Sequence, residues 1–240
     1  MTIIGDSESV DDFSPFGIRA FTTTRASGTF GLVSDEPARI VMQRWRQLRE
    51  ELVPGGARLA SANQVHGSRV VTHGDGWEGW LRVDAADGHV APGRGLALAV
   101  SVADCVPIFM AHPSGAVALL HSGWRGTAAR IVERGIEALA HRGFAAGELR
   151  LHLGPAICGK CYEVSADVFR QLTGHDSAHA AECVDLRALI AKHARAAGVR
   201  HITSSALCTR CDNDRLYSHR TGDPGRQIAV IYAEGVVAKT

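Results

Sequence analysis

The sequence predicts one α/β domain, a layered αβ sandwich with a mixed β-sheet. Strand-like apolar runs alternate with helix-periodic segments along the 240 residues, and no linker or charge run divides them. The clearest strand pair, within residues 101–125, folds back at Pro113-Ser114-Gly115, so it is an antiparallel hairpin. An antiparallel pair argues against an all-parallel doubly wound sheet. We therefore expect a flexible N-terminal tail at residues 1–16 and a single catalytic domain at residues 17–240.

The other elements follow in chain order. Residues 17–25 are β-branched and strand-like. A helix begins near Pro37, has apolar residues at helical spacing, and is ended by Pro54-Gly55-Gly56. Thr127 is the expected N-cap of a later helix that stops at Gly143. Further strands are predicted at 58–65, 69–72, 96–102, 149–153, 201–204 and 227–233, and further helices at 166–172 and 186–197.

Composition excludes several classes of partner. The net charge is +1 and the pI is about 7.8, which gives no electrostatic case for nucleic acid or an anionic membrane. No apolar run approaches the ~20 residues of a membrane span, and the acidic N-terminus lacks a signal-peptide pattern. We therefore expect a cytoplasmic protein with six reduced cysteines, which favours metal or catalytic use of the thiols. No heptad pattern predicts a dimer, so a monomer is expected.

Three residues next to predicted strands form the leading candidate site. Cys105 opens the first hairpin strand, His121 closes the second, and His66 follows an earlier strand in Gln64-Val65-His66-Gly67. Folding the hairpin brings Cys105 close to His121. Two imidazoles and one thiolate suit Zn²⁺ and leave a fourth position for water or substrate. The alternative is that the cysteine is a small core residue and the histidines are ordinary polar residues.

Arginines in loops form a second candidate group. Arg125 lies in Gly123-Trp124-Arg125-Gly126, just before a predicted helix whose free N–H groups would attract an anion. Arg25, Arg220 and Arg226 also lie at strand or loop junctions. Together they could bind phosphate or carboxylate; the alternative is that each is solvated at the surface. His73, His89 and His112 lie near strand ends and could join the site.

Two C-x-x-C motifs, Cys158/Cys161 and Cys208/Cys211, could make a structural zinc site with four thiolates. The 46 residues between them exceed the ~15–20 of a compact zinc ribbon, which favours loop cysteines without metal. The sequence has no H-x-E paired with P-C-x-x-C, no H-E-x-x-H, no G-x-G-x-x-G and no Walker loop. These absences exclude the zinc nucleobase deaminases and standard dinucleotide or P-loop sites, and they argue against common metalloproteases.

These motifs together resemble the YfiH-like, laccase-domain family, also called the multicopper polyphenol oxidoreductase or peptidoglycan editing factor family. They occur in the family's order and cover nearly the whole chain after the tail. The matching stretches are FTTTR (21–25), QVHGSRVV (64–71), ADCVPIFM (103–110), HSGWRGT (121–127), LGPAIC (153–158), CYEV (161–164) and CTRCDNDRLYSHRTGDPGRQ (208–227).

The resemblance implies a zinc-dependent enzyme of the purine nucleoside phosphorylase type. It implies phosphorolysis of adenosine, inosine and S-methyl-5′-thioadenosine, with adenosine deaminase activity, so the expected partners are purine nucleosides and phosphate. The implied zinc ligands are His66, Cys105 and His121, with Cu²⁺ as an alternative metal. The implied catalytic residues are Cys105, His121 and Arg25, and the implied substrate or phosphate contacts are Gln64, Arg125, Arg220 and Arg226.

Rival functions stay open at this point. Cys105 and His121 could be a nucleophile–base pair in a hydrolase or amidase acting on a peptidoglycan precursor. A copper-dependent polyphenol oxidase is another alternative, although no second histidine cluster is evident for several coppers. A non-enzymatic metal-binding or interaction module is the third. His219 stands where the family has tyrosine, and the loop after Arg25 departs from the family pattern; both differences concern residues expected to contact the substrate and not the metal ligands.

Overall fold

The computed structural model describes residues 2–53 and 56–235. Within them, fourteen strands and five α-helices form the domain. The helices are α1 (Ala38–Leu52), α2 (Trp124–Ala128), α3 (Ile131–Ala140), α4 (Ala166–Thr173) and α5 (Leu186–Ala196). The strands are β1 (Ser7–Ser9), β2 (Ile18–Thr23), β3 (Arg58–Ala62), β4 (Val70–Thr72), β5 (Trp80–Val83), β6 (Gly88–Ala91), β7 (Leu96–Val102), β8 (Val106–Ala111), β9 (Val117–Ser122), β10 (Arg150–Leu153), β11 (Glu163–Ser165), β12 (Ala181–Cys183), β13 (His201–Ser204) and β14 (Gln227–Ala233).

Two six-stranded sheets contain most of the strands. The first sheet has the order β1-β2-β14-β7-β3-β5, and the second has the order β13-β10-β8-β9-β6-β4. Each contains both kinds of pairing: β7 runs parallel to β3 and antiparallel to β14, and β10 runs parallel to β13 and antiparallel to β8. The mixed α/β fold predicted from the sequence is therefore confirmed.

Apolar residues divide into three buried layers. The layer between the two sheets contains Leu98, Phe109 and Leu119 and covers the inner face of each sheet. The outer face of the first sheet packs on α1 through residues such as Trp45 and Leu48. The outer face of the second sheet packs on α3 and α5. Strands β7 and β14 are almost entirely buried, which explains why their sequences are continuous apolar runs.

The hairpin β8–β9 holds the two predicted site residues at one end. Val106 pairs with Ser122 and Pro107 with His121 in an antiparallel register. Cys105 immediately precedes β8, so the ladder itself brings it beside His121. This is the proximity that the turn at residues 113–115 predicts.

Three local expectations change. Residues 7–9 of the expected tail pair with β2, and Phe13 is fully buried, so this segment packs on the first sheet because it completes the sheet edge and core. Thr127 lies inside α2 instead of capping a helix, and α3 begins after Arg130, whose φ is +59°. Residues 54 and 55 of the predicted helix stop lie outside the described residues. No helix in the described ranges is long and apolar enough to cross a membrane.

Candidate metal centre

The donor atoms of His66, Cys105 and His121 lie within 4.8 Å of one another. The two imidazole rings are 4.9 Å apart between centroids and lie nearly perpendicular, at 78°. His121 is buried, Cys105 is partly buried and His66 is exposed, so the group opens from the protein interior toward solvent. This arrangement can accept a metal ion from one side and keep it accessible to a substrate on that side.

Asp87 is a fully buried carboxylate that organises two of the three donors. Its Oδ1 atom faces His121 Nδ1 at 2.9 Å and accepts the His66 backbone N–H at 2.9 Å. Its Oδ2 atom accepts the Gly67 N–H at 2.8 Å and the Val65 N–H at 3.2 Å. A nitrogen facing a carboxylate carries the proton, so Nε2 of His121 is left as the ligand atom.

Two residues of the site have left-handed backbone conformations, which are uncommon outside glycine. The φ of His66 is +59° and that of Asp104 is +81°. Hydrogen bonds from backbone N–H groups to the Asp87 carboxylate hold the His66 conformation. The second conformation is held because Asp104 accepts from Thr209 Oγ1 at 2.6 Å and from the Arg220 N–H at 2.7 Å. These bonds fix the two loops from which the His66 and Cys105 side chains project.

The ionisable groups of the centre perturb one another. Burial raises the pKa of Cys105, but the charge and hydrogen bonds of His121 and His66 outweigh it and lower that pKa to about 6. Burial lowers the pKa of His121, but Cys105 and Asp87 outweigh it and raise that pKa to about 9. Burial also raises the pKa of Asp87, yet hydrogen bonds from His121 and the amides leave it below its ordinary value. The metal-free centre therefore favours a thiolate beside an imidazolium.

Glycine is required where the chain leaves β9. A Cβ atom built on Gly123 would lie 2.9 Å from Cys105 Sγ and 3.4 Å from His66 Cδ2. A contact of 2.9 Å is too short for a side chain to be added without moving the thiol. The closely packed backbone therefore forms one wall of the donor group.

The centre opens into a cavity of about 530 Å³. This volume falls within the ~300–1,000 Å³ of small-molecule sites. Its walls come from strand ends and loops of both sheets and from α2 and the start of α5. The described lining residues are Gly31, Leu32, Val33, Ala62, Asn63, Gln64, His66, Arg82, Ser101, Ala103, Asp104, Cys105, His121, Gly123, Trp124, Arg125, Ile157, Tyr162, Leu186, His219, Arg220 and Arg226.

Four arginines line this cavity, and they are not equivalent. Arg82 and Arg125 are exposed, and neither guanidinium forms a hydrogen bond or ion pair with another described residue. Arg125 stacks on the Trp124 ring, with 4.4 Å between its Cζ atom and the ring centroid. Arg220 donates to the Glu163 carbonyl at 2.9 Å, and Arg226 donates to the carbonyls of residues 223 and 225. Arg82 and Arg125 are thus the cations left free for an anionic ligand.

Two predicted contact residues have different surroundings. Arg25 is not among the lining residues: its guanidinium donates to Asp223 and to the carbonyls of Asn213 and Leu216, and lies 4.5 Å from the Tyr217 ring centroid. This corrects the catalytic assignment of Arg25, because its donors hold a loop instead of facing the cavity. Gln64 does line the cavity, but its amide exchanges hydrogen bonds of 2.8 Å with the Ser101 backbone.

The helix expected after Gly123 is also different. Helix α2 has only five residues, so the predicted anion site at a helix N-terminus is not supported and the attraction falls to the Arg125 side chain. His73 and His89 do not join the donor group: they face each other in the interior, with 2.9 Å between ring nitrogens. His112 bonds to Ser114 instead, at 2.7 Å.

Sequence reasoning missed Asp87, Arg82, Asp104 and Tyr162. Asp87 had a signal, because a histidine metal ligand usually needs a carboxylate or carbonyl partner and Asp87 immediately precedes β6, the strand that pairs with β9. Arg82 lies in β5, and Asp104 and Tyr162 lie on loops; their meeting depends on the tertiary fold, so no local pattern identifies them.

The family model described as "Multi-copper polyphenol oxidoreductase laccase" matches residues 21–234. A purine nucleoside phosphorylase of Mycobacterium tuberculosis is 38% identical over 235 residues, which cover 90% of this chain and 92% of that protein. The chain belongs to this laccase-like family.

Other comparisons agree on the family and fold. An adenosine deaminase named RL5, from an unknown prokaryotic organism, is 29% identical over 247 residues, with 90% of this chain and 94% of that protein covered. The crystal structure of the Bacillus licheniformis protein YfiH is similar with a TM-score of 0.84 at 22% identity, covering 95% of this chain and 97% of that one. The resemblance given by the sequence motifs is therefore confirmed at the level of family and fold.

The donor set fits a family metal. Two imidazoles and one thiolate form a borderline-soft site with three protein ligands, the arrangement typical of catalytic zinc. Asp87 supplies the carboxylate that usually supports a zinc-bound histidine. Among the described residues this is the only such group that contains histidine, which gives no second cluster for a multicopper centre.

Proposed function

We propose that the protein is a zinc-dependent purine nucleoside enzyme that phosphorolyses adenosine, inosine and S-methyl-5′-thioadenosine and also deaminates adenosine. The observation that carries the proposal is the meeting of the His66–Cys105–His121 group with a cavity that has unpaired arginines and aromatic walls. The names of the relatives support the same substrate class.

Phosphorolysis needs an anion held beside a nucleoside. A phosphate oxygen forms a bond to ribose C1′ while the bond from C1′ to the purine N9 breaks, and the base leaves with a proton. Arg82 and Arg125 are the groups with donors free for the phosphate, and charge-assisted hydrogen bonds from guanidinium to phosphate are strong and often bidentate. Arg220 also lines the cavity and adds positive charge to it.

The purine ring needs a flat apolar surface with few polar contacts. Trp124 and Tyr162 present aromatic side chains to the cavity, and Leu32 and Ile157 add apolar surface. His219 also lines the cavity and offers a donor or acceptor for the ribose or the base. We therefore assign the base to these aromatic side chains and the phosphate to the guanidinium groups beside them, since Arg125 stacks on Trp124 and Arg220 lies over the Tyr162 ring.

The three donors supply the reactive end of the cavity. Zinc held by His66, Cys105 and His121 would act as a Lewis acid and provide a position for water or a substrate oxygen. Asp87 keeps the His121 ring oriented and its Nδ1 proton in place. Asp104 holds the backbone before Cys105, so the thiolate is presented without rearrangement. Deamination uses the same end, where water replaces the amino group at the purine C6 and ammonia leaves.

A second candidate function is favoured by one observation. Cys105, His121 and Asp87 form a thiol–imidazole–carboxylate series, and the perturbed pKa values favour a thiolate without any metal. Such a series could attack an amide carbonyl, as an amidase acting on a peptidoglycan precursor would require. Copper-dependent oxidation of phenols rests on the family description alone.

The test measures zinc content and inosine phosphorolysis in wild type, Cys105→Ala, His121→Ala and Cys183→Ala. We expect zinc and turnover to fall in the first two variants and to persist in Cys183→Ala, since Cys183 is exposed and outside the donor group. Wild-type zinc and turnover in both site variants would refute the proposal.

Two further measurements separate the rivals. Arg125→Met should raise the KM for phosphate at least tenfold, because a charge-assisted contact contributes ~1.5–3 kcal/mol. Arg142→Met, a change at an exposed position away from the cavity, should not alter it. If the chelated protein hydrolyses muropeptides and iodoacetamide on Cys105 abolishes that activity, the thiol–imidazole function replaces the zinc function.

A further inference from the structure

The four cysteines of the two C-x-x-C motifs meet in space. Cys158 and Cys161 lie on the loop after β10, and Cys208 and Cys211 lie on the loop after β13. All four sulfur atoms lie within 4.8 Å of one another, and Cys161 and Cys211 are 3.5 Å apart. The 46-residue spacing makes a shared site the less favoured alternative. The motifs nevertheless meet, because β10 and β13 are neighbouring parallel strands and the loops that contain the cysteines follow them at the same end of the sheet.

Backbone contacts hold the two motifs in register. Ala156 and Cys208 form a parallel bridge just before the sulfurs meet. Each motif closes a turn: the Cys161 N–H donates to the Cys158 carbonyl at 2.9 Å, and the Asp212 N–H donates to the Cys208 carbonyl at 2.8 Å. The group is therefore built from two turns that present paired thiols toward one point.

One sulfur already receives backbone donors. The Cys158 N–H donates to Cys208 Sγ at 3.2 Å, and the Cys211 N–H donates to it at 3.5 Å. Such donors stabilise a sulfur that carries negative charge. Each motif also contains one cation between its cysteines, Lys160 in the first and Arg210 in the second. These cations offset the charge that several thiolates would bring to one place.

Four sulfurs at these distances suit a tetrahedral metal ion. Sulfurs bound to zinc at ~2.3 Å in a tetrahedron lie ~3.8 Å apart. The observed spacing needs only small side-chain adjustments to reach that value. A four-thiolate site leaves no open position, which is typical of structural zinc. We propose that Cys158, Cys161, Cys208 and Cys211 bind a structural zinc ion, separate from the His66–Cys105–His121 centre.

The position of the site gives it a consequence for the cavity. Tyr162 follows Cys161 directly, and His219 and Arg220 lie on the loop that contains Cys208 and Cys211. The same loops hold Asp104, because Ile157 N–H donates to its carbonyl at 3.1 Å and Thr209 donates to its carboxylate. Zinc at the four cysteines would clamp one wall of the cavity and the residue that precedes Cys105.

The experiment counts zinc per chain in full-length protein grown with zinc and purified with a reductant and no chelator. We expect two ions in wild type, one in Cys161→Ser and one in Cys211→Ser. Cys183→Ser should retain two, since its thiol is exposed and outside both donor groups. His66→Ala should also contain one ion, because it loses the zinc of the proposed catalytic centre and keeps the zinc at the four cysteines. If the catalytic centre holds no zinc, wild type and His66→Ala should both contain one ion, and Cys161→Ser and Cys211→Ser should contain none.

Two additional measurements keep the result interpretable if a serine variant fails to fold. Cys211→His conserves a zinc ligand and should restore the second ion. Cobalt exchange should give the visible absorption of a four-thiolate site in Cys105→Ala and lose it in Cys161→Ser. An equal metal count in wild type, Cys161→Ser and Cys211→Ser overturns the proposal. A Cys161–Cys211 disulfide in the reductant-purified protein also overturns it.

Discussion

Asp87 connects the backbone of one histidine to the ring of the other. It is fully buried and accepts from three consecutive amides and from His121. Its position before β6 is a sequence signal for a carboxylate near β9, but the bonds to both histidines depend on the fold, because Asp87 follows His66 by 21 residues and precedes His121 by 34. The centre is thus three donors and one carboxylate that aligns them.

Asp87→Asn tests that role at nearly constant shape. An amide can keep one acceptor oxygen, but its NH₂ group then faces backbone N–H donors, so the His66 loop and the His121 ring lose their alignment. We expect zinc affinity at this centre to weaken about 10–100-fold, the usual effect of losing a partner of a metal-bound histidine. Competition with a chromophoric chelator measures it.

The matched control is Asp84→Asn. Asp84 is an exposed carboxylate on the same turn and accepts from the Asn63 side chain at 3.2 Å. Its removal should leave zinc affinity at the centre unchanged. Equal affinity in Asp87→Asn and wild type would show that Asp87 does not orient the ligands.

The loop between β13 and β14 is organised around another carboxylate, Asp223. It accepts from the Arg25 guanidinium, from Asn213 Nδ2 at 2.7 Å, from the Ser218 N–H at 2.8 Å and from Thr221 Oγ1 at 3.0 Å. Burial raises the pKa of Asp223, but the Arg25 bond and the other donors outweigh it and hold that pKa well below its usual range. The folded state therefore binds this proton more weakly than the unfolded state.

Stability should consequently depend on the ionisation of Asp223. A carboxyl whose folded pKa is depressed stabilises the fold above the unfolded pKa of ~3.9, and that contribution is lost as the pH falls toward the folded value. Asp223→Asn should lower the free energy of unfolding by about 2 kcal/mol at pH 7, on the scale of a charged hydrogen bond. The difference from wild type should shrink between about pH 4 and pH 2.

Urea unfolding at several pH values measures this difference. Asp214→Asn is the control, since Asp214 is exposed in the same loop. Arg25→Met should destabilise the protein in the same direction, whereas a purely catalytic Arg25 would lose turnover with the free energy of unfolding unchanged. A pH-independent gap between Asp223→Asn and wild type would contradict the assignment.

Local sequence patterns predict individual strands well and the contacts between distant segments less well. Strands β7, β13 and β14 match their predicted ranges, because a continuous apolar run or a β-branched segment is recorded in consecutive residues. The hairpin β8–β9 is also formed by neighbouring residues in the sequence, so its turn predicts that Cys105 lies beside His121. The bond from Arg25 to Asp223 and the contact of the two C-x-x-C motifs join residues more than 45 positions apart. A local sequence pattern does not predict contacts over such separations.

At the scale of the molecule, the buried core and the candidate functional site occupy different parts of the two sheets. The layer between them is apolar, with Leu98, Phe109 and Leu119 fully buried. The ligands and the cavity lie at one end of these sheets, at strand ends and on the adjoining loops. The cores on the outer faces attach the helices, and none of the three candidate metal ligands is among their described residues. Stability and metal binding should therefore respond to different substitutions.

Leu119→Ala tests this separation. Leu119 has no exposed surface and lies between the sheets, so its truncation should lower the free energy of unfolding by about 2–5 kcal/mol. Leu81→Ala makes the same chemical change at a residue 38% exposed and should cost less than about 1 kcal/mol. Urea unfolding should show a lower midpoint with an unchanged slope.

The folded variant should keep the zinc content of wild type, because the ladder pairs that hold Cys105 beside His121 do not involve the Leu119 side chain. Loss of zinc from folded Leu119→Ala would mean that the sheet interface and the metal centre are coupled.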